Sequence, residues 1–310
     1  MNKTFLFFTA SFLLWATGAF AQLSMKKTDE GILITENKKE VFLYHIHPKD
    51  LNGQYRRCNY IHPLYGLNGE VLTEDFPSDH LHHRGIFWAW HQVWIGDKRV
   101  SDGWEIKDFD QTVTEIEFKK NPSGLAVIKT EVDWTSGKWK KEGKKVPYLN
   151  EKTTITVHPT SRDVRKIDFE IQLLALEEGL KLGGSEDEKA YGGFSVRLDL
   201  PDDVTFSGPD GKIEPENTAV KSSGYVQVSG TFDNGAKESG VVIVDHPQNP
   251  GYPQDWILRA KNSMQNVVWP GREPVIGSTT EPLVLKYSLL VYSGKMNNNK
   301  MEKIIGDDPF

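Results

Sequence analysis

The sequence predicts an all-β fold, a large antiparallel β-sandwich, and three observations carry that prediction. Segments alternating apolar and polar residues, rich in β-branched and aromatic side chains, recur along nearly the whole chain. The connections between them carry turn residues: Asn52-Gly53, Asn68-Gly69, Pro122-Ser123-Gly124, Pro209-Asp210-Gly211, Asp233-Asn234-Gly235 and Pro250-Gly251. Long helical periodicity is missing, and more than ten strands without intervening helices argue against a parallel α/β fold.

The pattern places strands, in order, at Gly31–Thr35, Val41–Ile46, Ile86–Ile95, Thr112–Phe118, Leu125–Trp134 and Thr153–His158. Lys166–Leu174, Gly193–Leu200, Tyr225–Thr231, Gly240–Val244, Trp256–Lys261 and Leu283–Tyr292 follow. A short helix fits Met296 to Ile305. No fixed-period repeat points to a propeller or solenoid, and no Ser/Thr/Pro-rich linker divides the chain, so residues 22–310 read as one β-sandwich domain.

Residues 1–21 read as a signal peptide. Lys3 precedes an apolar run from Phe5 to Ala16, and Ala19-Phe20-Ala21 fits a cleavage site. The expected location is therefore exported, periplasmic or secreted, after cleavage near Ala21. The run falls short of the roughly 20 apolar residues a membrane span needs, and no such span follows it. Cys58 stands alone, so no intramolecular disulfide forms, and it reads as a small buried hydrophobe. A net charge of -6 gives no basic surface of the kind nucleic acid requires. Walker, dinucleotide, Gly-x-Ser-x-Gly and His-Glu-x-x-His motifs are absent, which argues against nucleotide cofactors and the common serine and zinc hydrolase templates.

Chemistry concentrates between Asp79 and Trp94, DHLHHRGIFWAWHQVW. Read as extended chain, His80, His82 and Arg84 share one face and His83 takes the other. A His-x-His pair suits a divalent metal, the one cofactor the sequence suggests, with His91, Asp79, Glu105 or His246 as a third ligand. Without a metal, the same imidazoles move protons, Arg84 clamps an anion, and Glu105 or His246 supplies a second acid-base group. The strand that follows has two faces, Trp88 and Trp90 on one and His91 on the other. If the tryptophan face is open, Trp88 and Trp90 form a sugar-stacking platform; otherwise they are core. Tyr191 and Arg197, after paired glycines, form a second polar focus, and Asp245-His246-Pro247 a third.

Asp79-His80-Leu81-His82-His83-Arg84-Gly85, preceded by Tyr60-Ile61-His62-Pro63-Leu64-Tyr65 and Asp75-Phe76-Pro77, resembles the signature of the family labelled PmoA, a domain of unknown function (DUF6807). Tyr191-Gly192-Gly193-Phe194-Ser195-Val196-Arg197 and Val244-Asp245-His246-Pro247, continuing to Asn249-Pro250, resemble its two later motifs. The resemblance implies a galactose mutarotase-like supersandwich acting in glycan degradation. Methane oxygenase activity is not expected despite the label, because that chemistry belongs to membrane-embedded subunits. The leading expectation is an enzyme acting on a sugar or oligosaccharide, of hydrolase, lyase or epimerase type. His80, His82, Arg84, Glu105 and His246 would be catalytic, and His83, Trp88, Trp90, His91, Tyr191 and Arg197 would bind substrate. The rival expectation is a non-catalytic carbohydrate-binding or scaffold protein.

Overall fold

The computed structural model describes residues 22–232 and 237–306. The expected leader, residues 1–21, and the Asp233-Asn234-Gly235 turn lie outside the described residues. Two nine-stranded antiparallel sheets dominate. The first runs edge to edge through Leu23–Lys27, Gly31–Glu36, Lys39–His45, Tyr60–Leu64, Ile86–Trp90, Gly192–Val196, Gln265–Val268, Asp255–Ile257 and Val220–Lys221. The second runs through Asp110–Lys120, Ala126–Thr135, Leu149–Val157, Val164–Ala175, Leu283–Ser293, Ser239–Asp245, Tyr225–Gly230, Thr205–Gly208 and Gly211–Ile213. A four-stranded sheet, Val275–Ile276, Leu180–Gly183, Gln92–Ile95 and Lys98–Ser101, flanks them.

The period-two pattern explains the layering. In Leu149–Val157 every second residue is buried, and Ala126–Thr135 repeats this, so one face of the second sheet is continuously apolar. Ile128, Val132, Trp134 and Ile155 meet Ile61, Ile86, Trp88, Trp90, Phe194 and Val267 from the first sheet in one core. At its centre lies a carboxylate. Glu151 Oε1 accepts from Asn59 Nδ2 at 2.7 Å, Trp88 Nε1 at 2.9 Å and Thr153 Oγ1 at 2.7 Å, and Oε2 accepts from Trp134 Nε1 at 3.0 Å. Burial raises the pKa of Glu151 against the opposing pull of these bonds. A buried carboxyl is tolerated here because its lone pairs are filled from both sheets.

Two expectations need correction. Ile86–Ile95 is not one strand: the chain bends at His91, leaves the first sheet and enters the four-stranded one. Trp88 and Trp90 are 1 % and 0 % exposed, in the core between the sheets, so they form no open stacking platform. Their indole N–H groups are spent inside, Trp88 on Glu151 and Trp90 on the carbonyl of Trp269 at 2.8 Å. The C-terminal helix forms at Asn298–Gly306 and lays Met301, Ile304 and Ile305 on the outside of the second sheet.

Candidate functional site

If the even-numbered residues of Ile86–Trp90 face the core, the odd ones must face out. Phe87 and Ala89 pack with Tyr60, Trp104 and Met264 in a small separate cluster, with Tyr191 at its edge. Ser195 and Asn266 sit in register beside Phe87, and Asn266 Nδ2 donates to Ser195 Oγ at 3.1 Å. Gly193, at φ +100°, lies opposite Ala89; a Cβ there would stand 2.6 Å from the carbonyl oxygen of Val267, so only glycine fits. This outer face, more polar than the core face, carries the site.

The histidine loop covers it, and not as extended chain. The amide of His80 donates to the carbonyl of Pro77 at 3.1 Å and that of His83 to the carbonyl of His80 at 2.9 Å, so two successive turns gather the rings. His80 and His83 stack with centroids 4.6 Å apart, and His82 meets both edge-on, at 5.7 and 4.6 Å. The alternation expected for His80, His82 and Arg84 is thereby replaced by a three-ring cluster.

Arg197 holds this cluster from beneath. Its guanidinium makes a two-point contact with Asp79, at 2.8 and 3.1 Å, and donates from Nε to Glu74 Oε2 at 2.7 Å. It also donates to His83 Nδ1 at 3.3 Å. A guanidinium only donates, so Nδ1 of His83 accepts and the proton of the neutral ring sits on Nε2. Burial holds His83 far below the ordinary histidine range, with His82, His80 and Arg197 adding to the effect. His80 Nδ1 pairs with Asp79 Oδ2 at 2.6 Å and is largely exposed.

Arg84 is fully buried, and its role differs from the expected anion clamp. Its donors go to Asp75, to the Tyr60 hydroxyl at 2.6 Å and to the carbonyls of Tyr55 and Lys49 at 2.8 and 3.2 Å. Its plane lies between the rings of Phe76 and Tyr60, at 3.7 and 4.5 Å. With every nitrogen bonded internally, it braces the loop rather than receiving a ligand.

Beside the rings opens a polar cavity of about 620 Å³, walled by Gly53–Arg56, Glu105–Asp110, Gly137 and Lys145, with His82 at its border. His82 and Glu105 therefore line one cavity. Burial pushes the His82 imidazole down to about 4, and the nearby Glu105 charge only partly counters this. Tyr55, Ile106 and Asp108, all on this wall, hold left-handed backbone at φ 54°, 58° and 52°. Such conformations cost of order 1–3 kcal/mol each and concentrate where a site over-determines its geometry; a β-branched residue makes Ile106 the most notable.

His91 stands at the bend where the chain changes sheets. Its Nδ1 lies 3.0 Å from Asp102 Oδ2, and its ring stacks on Trp104 with centroids 5.3 Å apart. Asp102 is itself held by Arg99 Nη2 at 3.3 Å and by the amide of Glu105 at 2.9 Å. Trp104 meets Tyr191 at 5.2 Å, and Tyr191 lies under Arg259 at 5.7 Å. Below the cavity floor Arg57 is 2 % exposed, over Phe87 and Phe109. Its Nη2 bonds the carbonyl of Gly103, while Nε and Nη1 have no hydrogen-bond partner, and burial lowers its pKa to about 9.

The fold thus brings His80, His82, His83, His91, Glu105, Tyr191 and Arg197 to one face. His246 goes elsewhere: it ends the second-sheet strand Ser239–Asp245 and lines a different cavity with Tyr225 and Tyr252. There Asp245 accepts from Asn249 Nδ2 at 2.8 Å and the amide of Gln254 at 3.1 Å, so Asp-His-Pro builds a corner. The third ligand expected beside a His80–His82 metal pair is not in place among the described residues. No group of three His, Cys, Asp or Glu among the described residues is arranged to hold an ion, and the Arg57 and Arg197 guanidiniums beside the rings oppose a cation.

Asp102 accepts the Glu105 amide in the turn and also orients His91. Tyr55 and Arg57 gave no signal, since neither lies in a motif.

Fold and site together define an antiparallel β-sandwich protein with a histidine-rich face on one sheet. Residues 32–305 match the model of a family of unknown function (DUF6807), and the chain belongs to that family. No curated protein matches it.

Proposed function

We propose that this chain is an exported carbohydrate-active enzyme, of the galactose mutarotase-like kind, that transfers protons on a sugar or oligosaccharide in the cavity bordered by His82. The observation that carries the reading is His82 and Glu105 lining one polar cavity, with the imidazole kept neutral by burial against the pull of the Glu105 charge. A neutral imidazole takes a proton from a ring carbon or from water, and the imidazolium it becomes, stabilised by the Glu105 carboxylate beside it, returns that proton to the leaving oxygen or to the carbanion, the transfer that hydrolysis, elimination and epimerisation all need. His91, oriented by Asp102, stands in the same face with its ring against Trp104, as a second proton-transfer group. Tyr55 supplies a wall against which a sugar ring can pack.

The test is product analysis of the mature protein on a panel of glycans, with His82→Gln and Glu105→Gln as controls. New product from the wild type, reduced by 10²-fold or more in both variants at unchanged melting temperature, is expected for general acid-base groups, which contribute about 10² to 10⁴. A glycan that binds saturably and is recovered intact would replace the enzyme with a binding protein.

A further inference from the structure

A second cavity, of about 490 Å³, lies on the opposite side of the sandwich, where the C-terminal helix docks on the second sheet. Its lining is strongly one-sided in charge: His158, Arg162, Lys166, Lys300 and Lys303 surround a small apolar floor of Val164 and Ile304. Asp168, which pairs with two of the lining residues, is already shared by His158 at 2.6 Å, Lys166 at 3.4 Å and the hydroxyl of Ser288. Arg162, Lys300 and Lys303 have no carboxylate within ion-pair reach among the described residues. Three cations without a carboxylate partner among the described residues, gathered around one hollow, create a local positive potential that an anion would relieve.

The helix itself adds an independent sign. Asn297 caps it, accepting the amide of Lys300 at 2.9 Å, which puts Lys300 at the third helical position. That position favours Glu or Gln, because the helix N-terminus is positive and an acid there can close a capping box. The first turn contains no acid at all, and Lys300 lines the cavity instead. The helix thus forgoes local stabilisation to keep a cation over the hollow.

We propose that this cavity is a binding site for a tetrahedral oxyanion, the sulfate or phosphate ester group of a saccharide. Arg162 offers a planar fork, Lys300 and Lys303 offer point charges from the helix, and Val164 with Ile304 offers a surface for the carrier. The inference does not depend on the chemistry assigned to the histidine face.

The experiment is a titration of the full mature chain with inorganic phosphate, inorganic sulfate and a sulfated disaccharide, followed by amide NMR at constant ionic strength. Saturable shifts at residues 162, 300 and 303 are expected, with Kd near or below about 1 mM for at least one probe. The double variant K300E/K303E should weaken that binding about tenfold or more, the consequence of reversing two nearby charges. The ranking of the three probes identifies sulfate or phosphate as the group recognised. Absence of saturation or equal binding by the double variant would each overturn the proposal. Melting temperature separates lost binding from lost fold: Lys300→Glu favours the helix N-terminus and Lys303→Glu opposes its last turn, so the double variant should melt close to the wild type.

Discussion

Replacing Trp88 by phenylalanine decides which face of Ile86–Trp90 is interior. Phenylalanine keeps the contacts with Phe194 and Phe169 but removes part of the indole and its N–H, which donates to Glu151 Oε1 at 2.9 Å. The lost apolar area costs about 1 kcal/mol, near the value of one buried methylene. The remaining void adds up to about 1 kcal/mol, because two packed sheets cannot close fully over it. The lost hydrogen bond adds about 1 kcal/mol, toward the low end because Oε1 keeps Asn59 and Thr153. The sum is about 3 kcal/mol, and at roughly 2 °C per kcal/mol it lowers Tm by about 6 °C. Urea unfolding should show a lower midpoint with unchanged slope. The matching change on the opposite face, His91→Ala, should cost less than about 1 kcal/mol and abolish glycan turnover. A Trp88→Phe protein of wild-type stability that no longer binds glycan would refute the assignment of faces.

Further changes follow from the same geometry. Arg84→Met should cost about 3 kcal/mol in thermal unfolding, since it leaves the buried Asp75 carboxylate with only Lys49 and the Tyr60 hydroxyl as partners; unchanged Tm would return Arg84 to the role of ligand clamp. Asp245 is pushed up to about 6 by burial from an ordinary 3.8. Its contribution to stability is thus present below about pH 4 and lost as pH rises through about 6. Asp245→Asn removes this, so its ΔΔG against wild type should improve by up to about 3 kcal/mol between pH 4 and 7; a pH-independent ΔΔG would contradict the burial. Lys300→Glu should stabilise by about 0.3 to 1 kcal/mol through the helix N-terminus, measured by urea unfolding, and a loss of stability would contradict the cap.

The sandwich was legible because strands such as Leu149–Val157 alternate strictly, and burial of one face leaves no other register. The histidine loop was misread because its pattern is compatible with an extended chain; the turns at Pro77 and His80 show only in backbone hydrogen bonds. Trp88 and Trp90 could belong to either face by sequence, since aromatic residues serve cores and sugar sites alike. What decided the matter was Glu151, some sixty residues away, whose carboxylate meets the Trp88 indole. Short polar strands such as Gln265–Val268 fell below any periodic signal, yet this one places Asn266 beside Ser195 on the site face. The His91–Asp102 pair was hidden for a related reason. A strand read straight through His91 carries that ring past the bend that delivers it to Asp102.

Four imidazoles of the outer face share one electrostatic condition, and it can be measured without knowing any substrate. Burial lowers His45, His62 and His82 to about 4, and His83 further. In the unfolded chain each takes a proton near pH 6.5, whereas in the folded chain it stays neutral, so these groups favour folding above pH 6.5 and lose that contribution as pH falls toward 4. Four protons of difference correspond to a slope of up to about 5 kcal/mol per pH unit, against roughly 1.4 of opposite sign from Asp245. Tm should accordingly drop steeply between pH 6.5 and 4.5, and His62→Gln with His83→Gln should flatten the fall. The neutrality that makes the fold acid-labile also leaves His82 able to accept a proton across the neutral range. Turnover should therefore plateau from about pH 5 to 8, with an acid limb near 4. A Tm constant from pH 7 to 5 would show that these rings are solvated and ordinary, and would remove both the buried-face geometry and the assignment of His82 as base.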